Sequence, residues 1–162
     1  MSRSDDAPGD RLRRLWQRLE RWPGGPWLFS RLVGRMAPYS GTIGARVVAL
    51  EPGRVRAVLR DRRRVRNHLD SIHAVALVTL GELVTGLATL TALPTGIRGI
   101  VVGLEASYEK KARGRLTAEC RTEVREVTGP REHEAIAEIR DDAGDRVATV
   151  RATWRLAPPR SA

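Results

Sequence analysis

Asp70-Ser71-Ile72-His73-Ala74-Val75-Ala76-Leu77-Val78-Thr79-Leu80-Gly81-Glu82-Leu83-Val84-Thr85-Gly86-Leu87-Ala88-Thr89-Leu90 is the longest nearly uncharged stretch of the chain. Its only ionisable side chains are Asp70, His73 and Glu82. Apolar residues fall on almost every side of the helix this stretch predicts, so the helix should be buried on almost every side. Pro94-Thr95-Gly96 closes it. A helix of that kind needs a wrapping of other elements, and the rest of the sequence supplies strands.

Upstream, Thr42–Leu50 is rich in Val and Ile, Glu51-Pro52-Gly53 is a turn signal, and Arg54–Arg60 alternates with Val55, Ala57 and Leu59 on one face. These two segments should form a hairpin. Downstream, four β segments are expected over Ile97–Tyr108, Arg115–Val127, Glu134–Arg140 and Arg146–Leu156. The turn Asp141-Asp142-Ala143-Gly144-Asp145 joins the last two. Before all of this stand two amphipathic helices. The first spans Asp10–Trp22, with Leu12, Leu15, Trp16 and Leu19 on one side and arginines between them. The second spans Trp27–Met36 and ends at Pro38.

The order is helix, helix, strand, strand, long helix, four strands. An α+β fold satisfies it: one curved antiparallel sheet, with one face wrapped around the long helix. The expected division is a helical extension over residues 1–39, a sheet-and-helix domain over 40–157 and a tail over 158–162.

The 162 residues fit one domain of ordinary size, and 41% hydrophobic composition can fill its core. No stretch of eighteen residues is wholly apolar, so no membrane-spanning helix is expected. The start of the chain lacks the basic-then-apolar order of a signal peptide. The single cysteine, Cys120, excludes an internal disulfide and suits a reducing cytoplasm. Net charge is +10, and all the basic residues but Lys110 and Lys111 are arginines. Such a balance attracts anions: a polyphosphate ligand, a membrane surface or nucleic acid. The three histidines and one cysteine have no metal-ligand spacing, and no nucleotide-binding loop appears.

Two features of the central stretch bear on chemistry. Glu82 lies mid-helix among Leu77, Leu80, Leu83 and Val84. Burying an unpaired carboxylate costs several kcal/mol or a raised pKa, so Glu82 either faces solvent, pairs with an arginine across an interface, or has a chemical task. Asn67, Ser71 and His73 gather at the helix start. Helix N-termini expose N–H groups suited to a carbonyl oxygen that becomes negative under attack. Plain capping by Asp70 or Ser71, with His73 packed and satisfied, is the alternative.

With these residues in place, the stretch resembles the PaaI-type branch of hotdog-fold thioesterases, and still more a related hotdog branch described only as a domain of unknown function. The pattern has an Asn, then His-Gly-Gly six residues later, then Asp or Glu nine residues after that His; Asn67, His73 and Glu82 fall at those spacings. Tyr108-Glu109-Lys110-Lys111-Ala112-Arg113-Gly114-Arg115-Leu116 is similar to the branch's strand end and following turn. The resemblance covers about Ser40–Leu156. It implies hydrolysis of acyl-coenzyme A thioesters, with Glu82 as general base or nucleophile, Asn67 orienting water or substrate, and His73 beside the carbonyl. It further implies the Val75 N–H as the donor that polarises the thioester, with Ser71 in the same group. It also implies a phosphate-binding rim of Lys110, Lys111 and Arg113, with the run Arg62–Arg66 as a second candidate. No cofactor beyond the coenzyme A thioester is implied. A homodimer or dimer of dimers is implied, paired through sheet edges. Where the pattern has His-Gly-Gly, this chain has His73-Ala74-Val75, which keeps the N–H but adds side chains.

Two further readings remain open. One is a non-catalytic acyl-coenzyme A or lipid-binding protein, favoured by the altered glycines. The other is a basic binder of membrane surfaces or nucleic acid, with the N-terminal helix lying on an anionic bilayer. Aromatic residues at 4% and the absence of a recognised motif weigh against nucleic acid.

Overall fold

The computed structural model describes residues 7–158, so all of the expected 158–162 tail but Pro158 lies outside the described residues. The elements run α1 (Pro8–Leu19), α2 (Gly25–Met36), α3 (Pro38–Gly41), β1 (Arg46–Glu51), β2 (Arg54–Leu59), α4 (Ala74–Ala92), β3 (Arg98–Tyr108), β4 (Leu116–Arg121), β5 (Arg131–Arg140) and β6 (Arg146–Ala157). The six strands form one sheet in the order β1-β2-β4-β5-β6-β3, every neighbouring pair antiparallel. One face of that sheet closes on α4. This is the α+β architecture expected from the sequence.

The core follows from alternation. Along β4 the inward residues Leu116, Ala118 and Cys120 are buried, and along β6 Val150, Ala152, Trp154 and Leu156 are. They meet Leu77, Leu80, Val84, Leu87 and Ala88 of α4. Small residues set how closely the layers approach. A Cβ on Gly81 would stand 2.3 Å from Cβ of Val150, so helix and sheet touch there through backbone. By length and mean hydropathy (1.7) α4 would suffice to cross a bilayer, but 67% of it is buried inside this molecule.

The N-terminal helices are packed into the same core. Leu12 and Trp16 of α1 are buried, as are Phe29 and Val33 of α2, and the Trp16 and Phe29 rings meet edge to face at 5.1 Å. Gly9 lies against the C-terminal end of α4, where a Cβ would fall 1.9 Å from the Leu90 carbonyl oxygen. The two sheet edges are treated differently. At β1, the Val47 N–H donates to Ser30 Oγ of α2 at 2.9 Å, so α2 covers that edge. At β3, no element covers the edge among the described residues, and Ile100, Val102 and Leu104 are 65%, 47% and 44% exposed.

Several boundaries differ from expectation. The central helix begins at Ala74 rather than Asp70, because residues 67–73 are tied into a loop. Asp70 adopts φ +51°, outside helical geometry, and the cap is His73 rather than Asp70 or Ser71. The expected strand Arg115–Val127 is only Leu116–Arg121: pairing with β5 ends at Cys120, and the last bond on the β2 side runs from the Thr122 N–H to the carbonyl of Gly53 in the β1–β2 turn. The short helix α3 and a 3-10 turn at Arg63–Val65 were not foreseen by the periodicity.

Candidate functional site

The loop before α4 is organised by Asn67. Its Oδ1 accepts from the Leu69 N–H at 2.9 Å, the Ser71 N–H at 3.2 Å and the Ser71 hydroxyl at 3.1 Å, and its own N–H donates to the Ser71 carbonyl. This is a self-closed Asx arrangement. Arg113 clamps it from outside, donating to the carbonyls of Asp70 and Leu69 at 3.1 and 3.3 Å. The His73 N–H bonds the Val65 carbonyl, which seats the helix start against the 3-10 turn.

His73 and Val75 meet in a cavity of about 240 Å3, together with Tyr39, Thr42, Arg64 and Thr79. The Val75 N–H, a free donor in the sequence-based expectation, is engaged here: it donates to His73 Nδ1 at 3.1 Å. A carbonyl oxygen reaching that N–H has to displace the imidazole, and must pass the half-exposed Val75 side chain. Tyr108 reaches the same helix turn, its hydroxyl donating to the Ala74 carbonyl at 3.4 Å.

Glu82 lies on the same flank of α4 as Val75 and Thr79, seven and three residues before it. It is half-buried, and its described partner is the Ser40 hydroxyl of α3, which donates to Oε2 at 3.4 Å. Burial pushes its carboxyl above the ordinary carboxylate value, and the Ser40 hydrogen bond pulls weakly the other way. Nothing in the sequence pattern points to Ser40, which is 42 residues away and reaches Glu82 because α3, held by α2, packs against α4. One turn later Gly86 keeps the space beside Glu82 Oε1 open to the Trp154 ring.

A raised carboxyl pKa has a consequence for stability. The fold favours the protonated form, so wild-type stability falls as pH rises from the unfolded-state value, about 4.3, through the raised folded-state value, and stays lower above it. Glu82→Gln lacks that loss. Its Tm is expected to exceed that of wild type at pH 7–8 by a few degrees, at roughly 2–4 °C per kcal/mol for a chain of this size, and to converge with it near pH 4. Equal melting temperatures at pH 8 would count against a desolvated Glu82.

Glu82 and the helix start of one chain are set well apart along the helix. Seven residues of helix separate Val75 from Glu82 by about 10 Å along the axis, whereas reacting groups must come within about 3–3.5 Å. The expected rim is largely engaged. Lys110 is held between Asp141 and Asp145 at 2.7 and 2.6 Å, Arg113 clamps the loop, and Lys111 is exposed. Cys120 is buried in β4, and burial pushes its thiol up to about 12, which removes thiolate chemistry. No cluster of three or more metal-ligating side chains occurs among the described residues.

Comparison with known proteins sets these features in a family. Residues 25–156 match the family described as "Domain of unknown function (DUF4442)", a span that takes in α2 and α3 as well as the sheet. Among solved structures, the structural-genomics protein APC5556 superposes with a TM-score of 0.80 at 27% identity, over 92% of this chain and 99% of that one. A Pseudomonas aeruginosa protein of unknown function, described as a probable thioesterase, superposes at 0.74 and 27% identity over 83% and 97%. A Staphylococcus aureus thioesterase at 20% identity shares the fold, with a TM-score of 0.65 over 75% and 99%. No curated protein matches the sequence.

Proposed function

Because the chain belongs to the DUF4442 family, a subgroup of the hotdog-fold thioesterase superfamily, we propose that it hydrolyses acyl-coenzyme A thioesters in a site built between two copies of the chain. The observation that carries this reading is Glu82: a half-buried carboxylate, raised in pKa, on the flank of the central helix that also carries the helix-start N–H groups. The 10 Å between them supports a shared site, in which the helix start of one subunit holds the thioester carbonyl and Glu82 of the other activates water or attacks directly. Asn67 acts by holding the loop, since its side-chain oxygen is already used three times. His73 acts as a gate on the Val75 N–H.

The test is release of free thiol from a panel of short, medium, long-chain and aromatic acyl-coenzyme A esters. Turnover on at least one class is expected, with an acid limb lying above the ordinary Glu range because the general base titrates there. A folded, dimeric protein that turns over no member of the panel rejects hydrolysis. It would leave a non-catalytic acyl-coenzyme A binder, the reading favoured by Ala74 and Val75 in place of two glycines.

That substitution gives its own prediction. Val75 is 49% exposed at the second helical position, so its side chain contributes little packing. Val75→Gly opens the approach to the N–H and is expected to raise kcat/KM by about tenfold, the equivalent of roughly 1.4 kcal/mol of relieved contact. Unchanged or lower kcat/KM in a variant of wild-type Tm would show that Val75 does not obstruct the carbonyl.

A further inference from the structure

A cleft of about 1050 Å3 opens between the α2–α3 segment and the β1–β2 ribbon. Seven arginines line it: Arg31 and Arg35 from α2, Arg46 and Arg60 from the ends of the ribbon, Arg62 and Arg64 from the segment that follows, and Arg115 before β4. No Asp or Glu is among the lining residues, and none of the seven makes an ion pair among the described residues. Several arginines of the sheet are neutralised. Glu119 takes Arg54, Arg56 and Arg121, Glu138 takes Arg140, and Glu134 takes Arg151. This concavity therefore carries seven positive charges with no carboxylate partner among the described residues.

Like charges held together repel, and two of them are adjacent by topology. Arg60 and Arg115 follow and precede the paired residues Leu59 and Leu116 at the end of the β2–β4 ladder. Such a cluster favours an anion that fills it, and the guanidinium fork matches phosphate oxygens in pairs. The shape selects the size of the partner. The volume lies just above the usual range of small-molecule sites, about 300–1,000 Å3, and is ample for a small ligand. At the mouth, the exposed Trp27 ring, with the Arg31 guanidinium 5.6 Å from its centroid, offers a face on which a base can stack. At the inner end lie Ser40, the partner of Glu82, and Leu83, its neighbour in sequence.

We propose that this cleft binds a small soluble ligand through two or more phosphate groups, a nucleoside oligophosphate being the chemical class that fits both the arginines and Trp27. Its use as the seat of a coenzyme A carrier rests on the hydrolysis reading above; the binding itself does not.

The experiment titrates free coenzyme A, adenosine 3′,5′-bisphosphate and inorganic tripolyphosphate into the full-length protein and into Arg60→Gln/Arg115→Gln. Saturable binding of all three is expected, weakening with added salt and at least tenfold weaker in the double variant, and each ligand should raise the Tm of wild type. The unliganded double variant should melt no lower than wild type, because it loses repulsion rather than contacts, and this verifies that it folds. The proposal is overturned by absence of saturable binding, by equal binding to the variant, or by binding confined to phosphatidylglycerol vesicles. In the thiol-release assay, a KM at least tenfold higher in the variant supports the cleft as the carrier's seat. Hydrolysis with unchanged KM removes that role and leaves the hydrolysis reading intact. Tripolyphosphate binding without hydrolysis of any thioester leaves the cleft and removes the hydrolysis reading.

Discussion

Glu82→Gln is expected to lower thioester turnover by about two orders of magnitude or more while the protein remains folded. The amide keeps the shape of the side chain and can still accept from the Ser40 hydroxyl, but it can neither take a proton from water nor attack a carbonyl. The same substitution is expected to raise the melting temperature at neutral pH, since it removes a desolvated charge. Loss of rate joined to greater stability is the signature of a group kept for chemistry; a structural role predicts loss of both. Substrate affinity should move less than kcat, because the carboxylate is asked to act chiefly in the transition state. If turnover persists within tenfold of wild type, the base lies elsewhere and the two-chain site loses its main support.

Ile100→Lys/Leu104→Lys is expected to halve the mass of the particle in solution and to reduce turnover by about a hundredfold or more. Both side chains are exposed in the isolated chain, so lysines there cost the monomer little. In a dimer joined through β3, the same lysines would bring like charges together on one face of the paired edges, and edge lysines are how natural edge strands are kept from pairing. Activity should fall with the mass, because Glu82 and the helix start of one chain stand about 10 Å apart. Light scattering and thiol release on the same samples check both halves. A particle of unchanged mass removes β3 as the joining edge. A fully active monomer removes the shared site.

The large elements were legible because their patterns are local. The helix at Ala74–Ala92 carries only Glu82 in its length, and β6 shows its period of two in Ala148, Val150, Ala152, Trp154 and Leu156. The boundaries that moved are those decided by distant partners. Ser71 and Ile72 read as the first turn of a helix, yet Asn67, Arg113 and the Ala112 carbonyl hold them in a loop. Thr122 and Val124 continue the alternation of β4, but its partners run out there: β2 gives way to the turn at Gly53, and pairing with β5 ends at Cys120. Asn67, His73 and Glu82 stand out as a set through the resemblance to the thioesterase pattern. What spacing could not convey is which of their atoms are already engaged: the Asn67 oxygen by its own loop, the Val75 N–H by His73. The arginines were misleading for the same reason. In the sequence they are one undifferentiated excess, and only the fold separates those that meet a carboxylate across neighbouring strands, as Arg54 and Arg56 meet Glu119, from those that line the cleft.

The hydroxyl of Ser30 on the β1 edge has a consequence for how many molecules can join. Strand addition needs two bare edges per unit to run on without limit, and here α2 seals one of them through the Ser30–Val47 bond. A pair joined through β3 would use up the edge left bare among the described residues and close on a two-fold axis. A larger assembly would then stack through faces. A Ser30 substitution that frees the Val47 N–H would give each closed pair two new ends, and with them a route to open-ended polymer.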